Sequence, residues 1–422
     1  MARDFFNNYY DYVGDTESPL IFHRWSILSG VAASLGRRCH IPLGYYKIYP
    51  AMYTMLVGAS GTRKSSATSL AAKVLKDAGY MHISADKTSK EKFLLDLMDK
   101  NHVIDSIASL EDMLVMDTAM HDAEAFVLSD DLQDFLGSNN IDFISLLGRL
   151  WETKDTYEHR IKTGTSIRIE HPVVNILSST TPTGLSLTFP PEILGQGFMS
   201  KLMLIYGDVT GKRISFPKAG DEESLNKIVH VLRQLLNRGR ISLDISVTAR
   251  DLLDTIYQAN VRVEDPRFVS YETRRHDHLL KLVMITALLR QYNVEYPTVL
   301  VDDVLIANTM LTCAEHQMPL ALGEFGKGKF SDVGNSLMEA LHRTHKPMNL
   351  LDLWKVVAQD LGSQNDLVAI LRGLQSLDKI QTVTVEGQAK FLPVVKSAKR
   401  LDAKLLTDDF LTEEENTIGG IL

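Results

Sequence analysis

Nine consecutive residues constrain this chain more than any other stretch: Gly58-Ala59-Ser60-Gly61-Thr62-Arg63-Lys64-Ser65-Ser66. They follow an apolar, strand-like run, Tyr53-Thr54-Met55-Leu56-Val57, and precede a helical pattern over Ser65–Ala78. A strand, a glycine-bearing turn and a helix form a ready cradle for phosphate, because loop amides and the helix N-terminus point at one anion. The phosphate-loop pattern is G-x-x-x-x-G-K-[ST]. Here Arg63 stands in place of its second glycine. Lys64 is expected to reach the β- and γ-phosphates and the Ser65 hydroxyl to coordinate Mg2+. Gly58 and Gly61 permit close backbone approach. A plain glycine turn with solvated bases would share the composition. The coincidence of strand, loop length, Lys-Ser pair and helix favours a nucleotide, with ATP and Mg2+ as cofactors.

An NTPase also needs carboxylates at the end of a neighbouring strand. Ala125-Phe126-Val127-Leu128-Ser129-Asp130-Asp131 supplies an apolar run ending in two of them. Asp130 is assigned to the metal and Asp131 to the attacking water. The competing role is a helix cap, since Leu132–Leu136 reads as helical. A third strand, Val173–Leu177, ends in Ser178-Ser179-Thr180-Thr181-Pro182. Such a cluster either senses the γ-phosphate or caps a turn. Both readings stay open.

Further motifs carry a family likeness. Phe22-His23-Arg24-Trp25, Leu35-Gly36-Arg37-Arg38, Ile48-Tyr49-Pro50-Ala51-Met52-Tyr53, Arg63-Lys64-Ser65, Phe126–Leu136 and Gly195-Gln196-Gly197-Phe198-Met199-Ser200 occur in that order. Over roughly residues 19–290 the chain resembles phage and prophage P-loop ATPases described as replicative helicase-like or primase-associated. In that family an Arg before the loop Lys is typical, so Arg63 joins the likeness. Two departures stand out. After Gly-Phe-x-Ser the family tends to have Arg where this chain has Lys201, and a Glu is more usual at Asp131. If Lys201 acts on a neighbour's nucleotide, it does so as a point charge, without a bidentate fork.

Three further segments bear on mechanism. Tyr157–Ile169 alternates about a turn at Lys162–Ser166, which predicts a β-hairpin. Its bases, Arg160, Lys162 and Arg168, are the candidate DNA contacts. The placement is similar to the pore hairpins of superfamily-three and MCM ring helicases; a solvated hairpin with protective edge charges is the competing reading. Arg274 and Arg275 open a helical pattern, so Arg274 is a candidate for reaching the γ-phosphate from a lid in the same subunit. Lys201, Arg213 and Arg149 are the candidates for acting across a subunit boundary. His276 and His278 have no suitable partner cluster in sequence, and no metal site is expected there.

The expected organisation is α/β: an N-terminal helical segment (1–50), a P-loop ATPase core (51–215), a helical lid (216–322), a winged-helix-like domain (333–395) and an acidic tail (396–422). AAA+-like strand order is favoured over RecA-like, because a sensor strand follows the acids and an Arg-bearing helical block follows that. A hydrophobic content of 45% supplies a sizeable core and argues against wholesale disorder. No apolar run reaches membrane-spanning length. The opening MARDFFNNYYDYVGD lacks the basic start and apolar stretch of a signal peptide. With only Cys39 and Cys313, and no metal or disulfide spacing, a reducing bacterial host cytoplasm is expected. The net charge of −8 does not exclude DNA: residues 401–422 carry −5, leaving −3 for the other 400.

The resulting expectation is an ATP-hydrolysing homo-hexameric ring, a helicase or translocase acting on single- or double-stranded DNA during phage or mobile-element replication. A replication protein is expected to dock on the C-terminal domain or tail, and no membrane partner is expected. The alternative is an initiator or helicase loader that uses ATP as an assembly switch without unwinding.

Overall fold

Four parallel strands form the central sheet in the spatial order β4 (Ala123–Ser129), β7 (Pro172–Thr180), β3 (Tyr53–Val57), β8 (Leu202–Tyr206). Every residue of β3 and of β7 is buried, as expected of central parallel strands covered on both faces. Ile83 adds an isolated parallel bridge to Phe126 on the far side of β4. Two polar residues inside these strands are paired: Ser29 donates to Thr54 Oγ1 at 2.8 Å, and Arg38 pairs with the Glu124 carboxylate at 2.7 Å.

The computed structural model describes residues 2–102, 122–137, 140–160, 166–189, 197–259, 261, 263, 265–323, 331–344, 346–376, 380–385, 388–393 and 405–407. By internal contacts the chain divides into two units, Gly326–Arg400 and the remainder.

In the larger unit, α1 (Ala2–Val13) buries Phe5, Phe6, Tyr9, Tyr12 and Val13, the i, i+4, i+7 stripe of an amphipathic helix. Helix α2 (Leu20–Leu35) is buried on nearly every side and packs on β3, β7 and α3 (Lys64–Ala78). A hairpin, β1 (Cys39–Leu43) and β2 (Tyr46–Ile48), follows it. Helix α4 (Lys90–His102) precedes β4; the short α5 (Leu132–Leu136) and α6 (Ile141–Leu150) follow it. Strands β5 (Thr156–Arg160) and β6 (Ser166–Glu170) pair antiparallel, with α7 (Pro182–Thr188) after β7. Helix α8 (Glu222–Leu236) packs on α1 and α3. Beyond two short strands, β9 (Ile241–Ser242) and β10 (Asp244–Ile245), come α9 (Val247–Ala259), α10 (Val269–Glu272), α11 (Arg275–Arg290), β11 (Thr298–Val299) and α12 (Val301–Leu322).

Residues 216–322, expected as a lid, join the same hydrophobic core as the sheet; one cluster runs from Ala2 to Leu322 and takes in Leu405. Helix α12 packs against β8 and α11. Its buried polar groups find partners: Arg290 with Asp303 at 2.6 Å, and Arg275 with Glu315 at 2.8 Å. Part of the acidic tail expected from residue 396 joins the larger unit. Leu405 and Leu406 are buried, the Leu405 carbonyl accepts from Asn308 at 3.0 Å, and Thr407 N donates to Thr309 at 3.0 Å. Residues 408–422 lie outside the described residues.

The smaller unit contains α13 (Ser331–Thr344), β12 (Met348–Asn349), α14 (Leu350–Val357), α15 (Gln364–Ser376), β13 (Ile380–Val385) and β14 (Gln388–Pro393). Its strands form an antiparallel sheet in the order β12-β14-β13. Val333, Leu337 and Leu341, four residues apart, bury one face of α13 against Leu353, Leu367 and Ile380. Among the described residues no helix is long and apolar enough to cross a membrane.

Candidate functional site

The loop after β3 lies at the carboxyl end of the sheet. Gly58 N donates to the Thr180 carbonyl at 3.3 Å, which ties the loop's first residue to the end of β7. A Cβ on Gly58 would stand 2.5 Å from the Gly207 carbonyl, so no other residue fits without moving the backbone. Arg63, in the glycine's place, adopts the glycine's conformation: φ is 57°, the left-handed region, at the cap of α3. That geometry costs a side-chain-bearing residue about 1 kcal/mol. Its guanidinium pairs with Glu17 at 2.7 Å. Glu17 also accepts from Ile214 N at 2.8 Å, and its carbonyl accepts from Thr210 at 2.9 Å. The Ile214 amide, with Arg63, holds the Glu17 carboxyl below its usual range. The segments 15–18 and 208–214 are thus clasped beside the loop.

Lys64 turns over the loop. Its amine donates to Gly58 O at 2.8 Å, Ala59 O at 3.0 Å and Thr62 Oγ1 at 3.2 Å. Partial burial lowers its pKa, opposed by the Asp131 charge. Ala59, Ser60, Gly61 and Ser65 are exposed at the rim; Thr62 is buried and Ser66 half-buried. As the first turn of α3, residues 64–66 present amides that the helix itself leaves unpaired.

The acids stand opposite. Thr68 Oγ1, one turn into α3, donates to the Ser65 carbonyl at 3.0 Å and lies 3.4 Å from Asp130 Oδ1. Ser65 and Asp130 therefore share a neighbour. Both are hard oxygen donors suited to Mg2+, which takes one or two carboxylates together with substrate phosphates. No larger group of His, Cys, Asp and Glu that could hold a metal occurs among the described residues. Asp131 fulfils the capping role: its Oδ1 accepts from Gln133 N at 3.0 Å. Burial raises its pKa, while the Gln133 amide opposes the rise. The end of β7 divides its work. Ser179 donates to the Asp130 carbonyl at 2.6 Å, and Thr181 caps α7 through Gly184 N at 2.9 Å. The Ser178 and Thr180 hydroxyls are buried and make no hydrogen bond among the described residues.

Lys201 and Arg274 are elsewhere. Lys201 immediately precedes β8, whose first residue pairs with Tyr53 at the amino end of β3. The five residues of β3 span about 16 Å, beyond the reach of a side chain. Arg274 lines the same open cavity of about 480 Å3 as Lys201, with Arg149, Ser145, Ser200 and Ser270. The assignment of Arg274 to its own subunit's γ-phosphate is corrected on that ground. Arg275 is no alternative, being buried against Glu315 and Asn308. Arg149 is exposed and makes no ion pair among the described residues. Arg213, grouped with these in sequence, adjoins Ile214 and therefore stands on the phosphate-loop side. His278 is buried, donates to the Ser200 carbonyl at 2.9 Å and stacks on Tyr271; burial depresses its pKa to about 3.

The hairpin expected over Tyr157–Ile169 is present, with Glu158 opposite Arg168 and Arg160 opposite Ser166. Arg168 pairs with Glu170 at 2.6 Å and with Glu158 at 3.6 Å. The Arg168 side chain is largely exposed, so these are surface ion pairs of small energy. Lys162 lies outside the described residues, as do Gly195 and Gln196; for Arg160 only the backbone is described.

Sequence reasoning missed Glu17, Thr68, Trp151 and Lys281. The one available signal was Lys281, a lone cation inside the apolar run Leu279–Leu289. No family model matches the chain, and a search of curated proteins gives no match.

Proposed function

We propose that the chain is a P-loop ATPase, AAA+-like rather than RecA-like, that works as a homo-hexameric ring motor on DNA. The observation that carries this reading is the convergence of Lys64, Ser65, Thr68, Asp130 and Asp131 at the carboxyl ends of β3 and β4. Ligands of open parallel sheets bind at that end, where the strand order switches. One strand, β7, separates the lysine's strand from the acids' strand, and its end places Ser179 and Thr180 between them. Loop amides and Lys64 would hold the phosphates, and Ser65 and Asp130 the metal. Mg2+, when bound, would neutralise charge growing on the transferred phosphoryl group. Asp131 has one oxygen on Gln133 N and a second with which to orient water.

The ring rests on the cation cavity. Lys201, Arg149 and Arg274 cannot serve their own loop, so in this reading they serve a neighbour's. DNA as the track rests on the hairpin's Arg160, Lys162 and Arg168. The smaller unit's three helices and three-stranded sheet fit a winged-helix-like module, suited to docking a replication protein.

One observation favours the switch alternative, an initiator or loader. Asp131 is partly committed to its cap and Lys201 to Glu152 and Gly148, both of which slow hydrolysis. Turnover of Mg-ATP with and without single-stranded DNA, in wild type and Lys64→Ala, tests the proposal. DNA-stimulated turnover that falls by about 100-fold in Lys64→Ala is expected. Turnover indifferent to DNA removes the motor; assembly on ATP without unwinding selects the switch.

A further inference from the structure

Between the cation cavity and the phosphate loop lies a compact linkage with Trp151 at its centre. Trp151 caps the C-terminus of α6, and its indole is 4% exposed. Three cations surround it. The Lys281 amine is 3.4 Å from the ring centroid, the Arg274 guanidinium carbon 5.6 Å and the Lys201 amine 5.7 Å. A ring quadrupole attracts cations within about 6 Å. Glu152, the next residue, takes Lys201 at 3.2 Å and Arg274 at 3.8 Å.

The same turn of α6 is wired to the start of β3. The last carbonyls of a helix lack intrahelical donors. Here Lys201 Nζ donates to Gly148 O at 2.5 Å, and Tyr53 OH, on the first residue of β3, donates to Leu147 O at 2.7 Å. Lys281, buried under the indole, donates to the Ala51 carbonyl at 2.7 Å, two residues ahead of β3. β3 then runs directly into Gly58. A lysine in an apolar helix interior is costly unless its charge is engaged. Burial pushes the Lys281 pKa well down; Asp277 opposes this, while Lys201 and Arg274 add to it. So its presence at 4% exposure calls for a role that a Leu could not fill.

We propose that Trp151 and Lys281 are positioning residues, a brace that fixes Lys201 and Arg274 at the cavity and couples their placement to β3 and thus to the phosphate loop. Neither residue touches nucleotide in this arrangement. The inference rests on the proposed ATPase reading for its kinetic consequence, but not for its geometry. Cations delivered to a neighbour's site must arrive in a fixed position, since small misplacements are costly in rate. The brace supplies that position from the same strand that carries the subunit's own loop.

Two arms test it with Trp151→Phe, Trp151→Leu and Lys281→Met. In steady-state turnover, Trp151→Leu is expected to lower kcat about tenfold with little change in KM, and Trp151→Phe, which keeps a ring, to recover most of it. Lys281→Met removes a buried charge, so kcat is expected to fall while Tm holds or rises. Equal loss in the Phe and Leu variants, or a fall in Tm with kcat unchanged, overturns the brace in favour of simple packing. The second arm needs no nucleotide. Amine labelling with acetic anhydride, read by mass spectrometry, is expected to modify Lys201 several-fold faster in Trp151→Leu than in wild type or Trp151→Phe. Unchanged labelling of Lys201 overturns the brace. Absence of wild-type turnover, with the labelling contrast intact, overturns the ATPase reading and leaves the brace standing.

Discussion

The two ends of the central sheet are built on different plans. At the carboxyl end, one short connection supplies backbone amides, a lysine and hydroxyls, and neighbouring strands bring the acids to it. At the amino end, α6, the segment before β8 and the start of α11 each contribute a cation to one cavity. The first plan fixes geometry through backbone, with a glycine at 58 that nothing else can replace. The second fixes it through side chains packed on an indole. A site of the first kind draws its groups from one subunit's loop and adjoining strands. In the proposed reading, one of the second kind serves a neighbour's nucleotide.

The largest expected effect comes from separating the ends. Lys64→Ala and Lys201→Ala subunits should each form nearly inactive assemblies. Mixed in equal amounts and allowed to exchange, they should recover about a quarter of wild-type sites, because intact loops then face intact cations. No recovery on mixing would break the comparison, making the amino-end cavity local structure only.

Acid should loosen both ends together. His23, hydrogen-bonded to Thr16 beside the loop at 2.8 Å, and His278, bonded to Ser200 beside the cavity, are both held to a pKa of about 3 by burial, against 6.5. In the fold they are neutral, and the unfolded chain takes up the protons. Their stabilisation is therefore present above pH 6.5 and is lost as pH falls from 6.5 towards 3. Each accounts for up to about 1.4 kcal/mol per pH unit in that window. Denaturation followed between pH 7 and 4 should show this slope, reduced in His278→Gln, which keeps a donor for the Ser200 carbonyl. An unchanged slope would place the acid sensitivity elsewhere.

The smallest effect concerns Arg63. Arg63→Gly relieves about 1 kcal/mol of left-handed strain but releases Glu17 and the 208–214 segment. Stability is expected to hold or rise slightly while nucleotide affinity falls. A gain in both would mean that the Glu17 clasp does not shape the loop.

Legibility in the sequence follows the same division. Tyr53–Val57, the loop, Ala125–Leu128 and Val173–Leu177 were readable because each is a continuous run whose pattern reports its own burial. The hairpin at 156–170 was readable from alternation. The Trp151 cluster was not, since its members are spread over residues 51, 148–152, 201 and 274–281 and meet only in three dimensions. Arg274 was misplaced for that reason: its helical context is visible in sequence, but the end of the sheet it faces is not. Helix α12 was obscured by buried Asp303, Asn308 and Glu315, polar residues that pay their way only through partners on α11 and in residues 405–407. Helix α1 falls in the expected N-terminal helical segment, but its bounds were not drawn although its aromatic stripe has helical spacing; its Asn and Tyr content reads as irregular.

Calorimetric titration of the full chain with Mg-ATP, beside Lys64→Ala, addresses the phosphate loop most directly. One site per chain with roughly micromolar affinity, lost or weakened at least tenfold in Lys64→Ala, is the expected result. No binding heat at millimolar Mg-ATP, or binding that Lys64→Ala leaves unchanged, would contradict a nucleotide held between Gly58–Ser66 and Asp130.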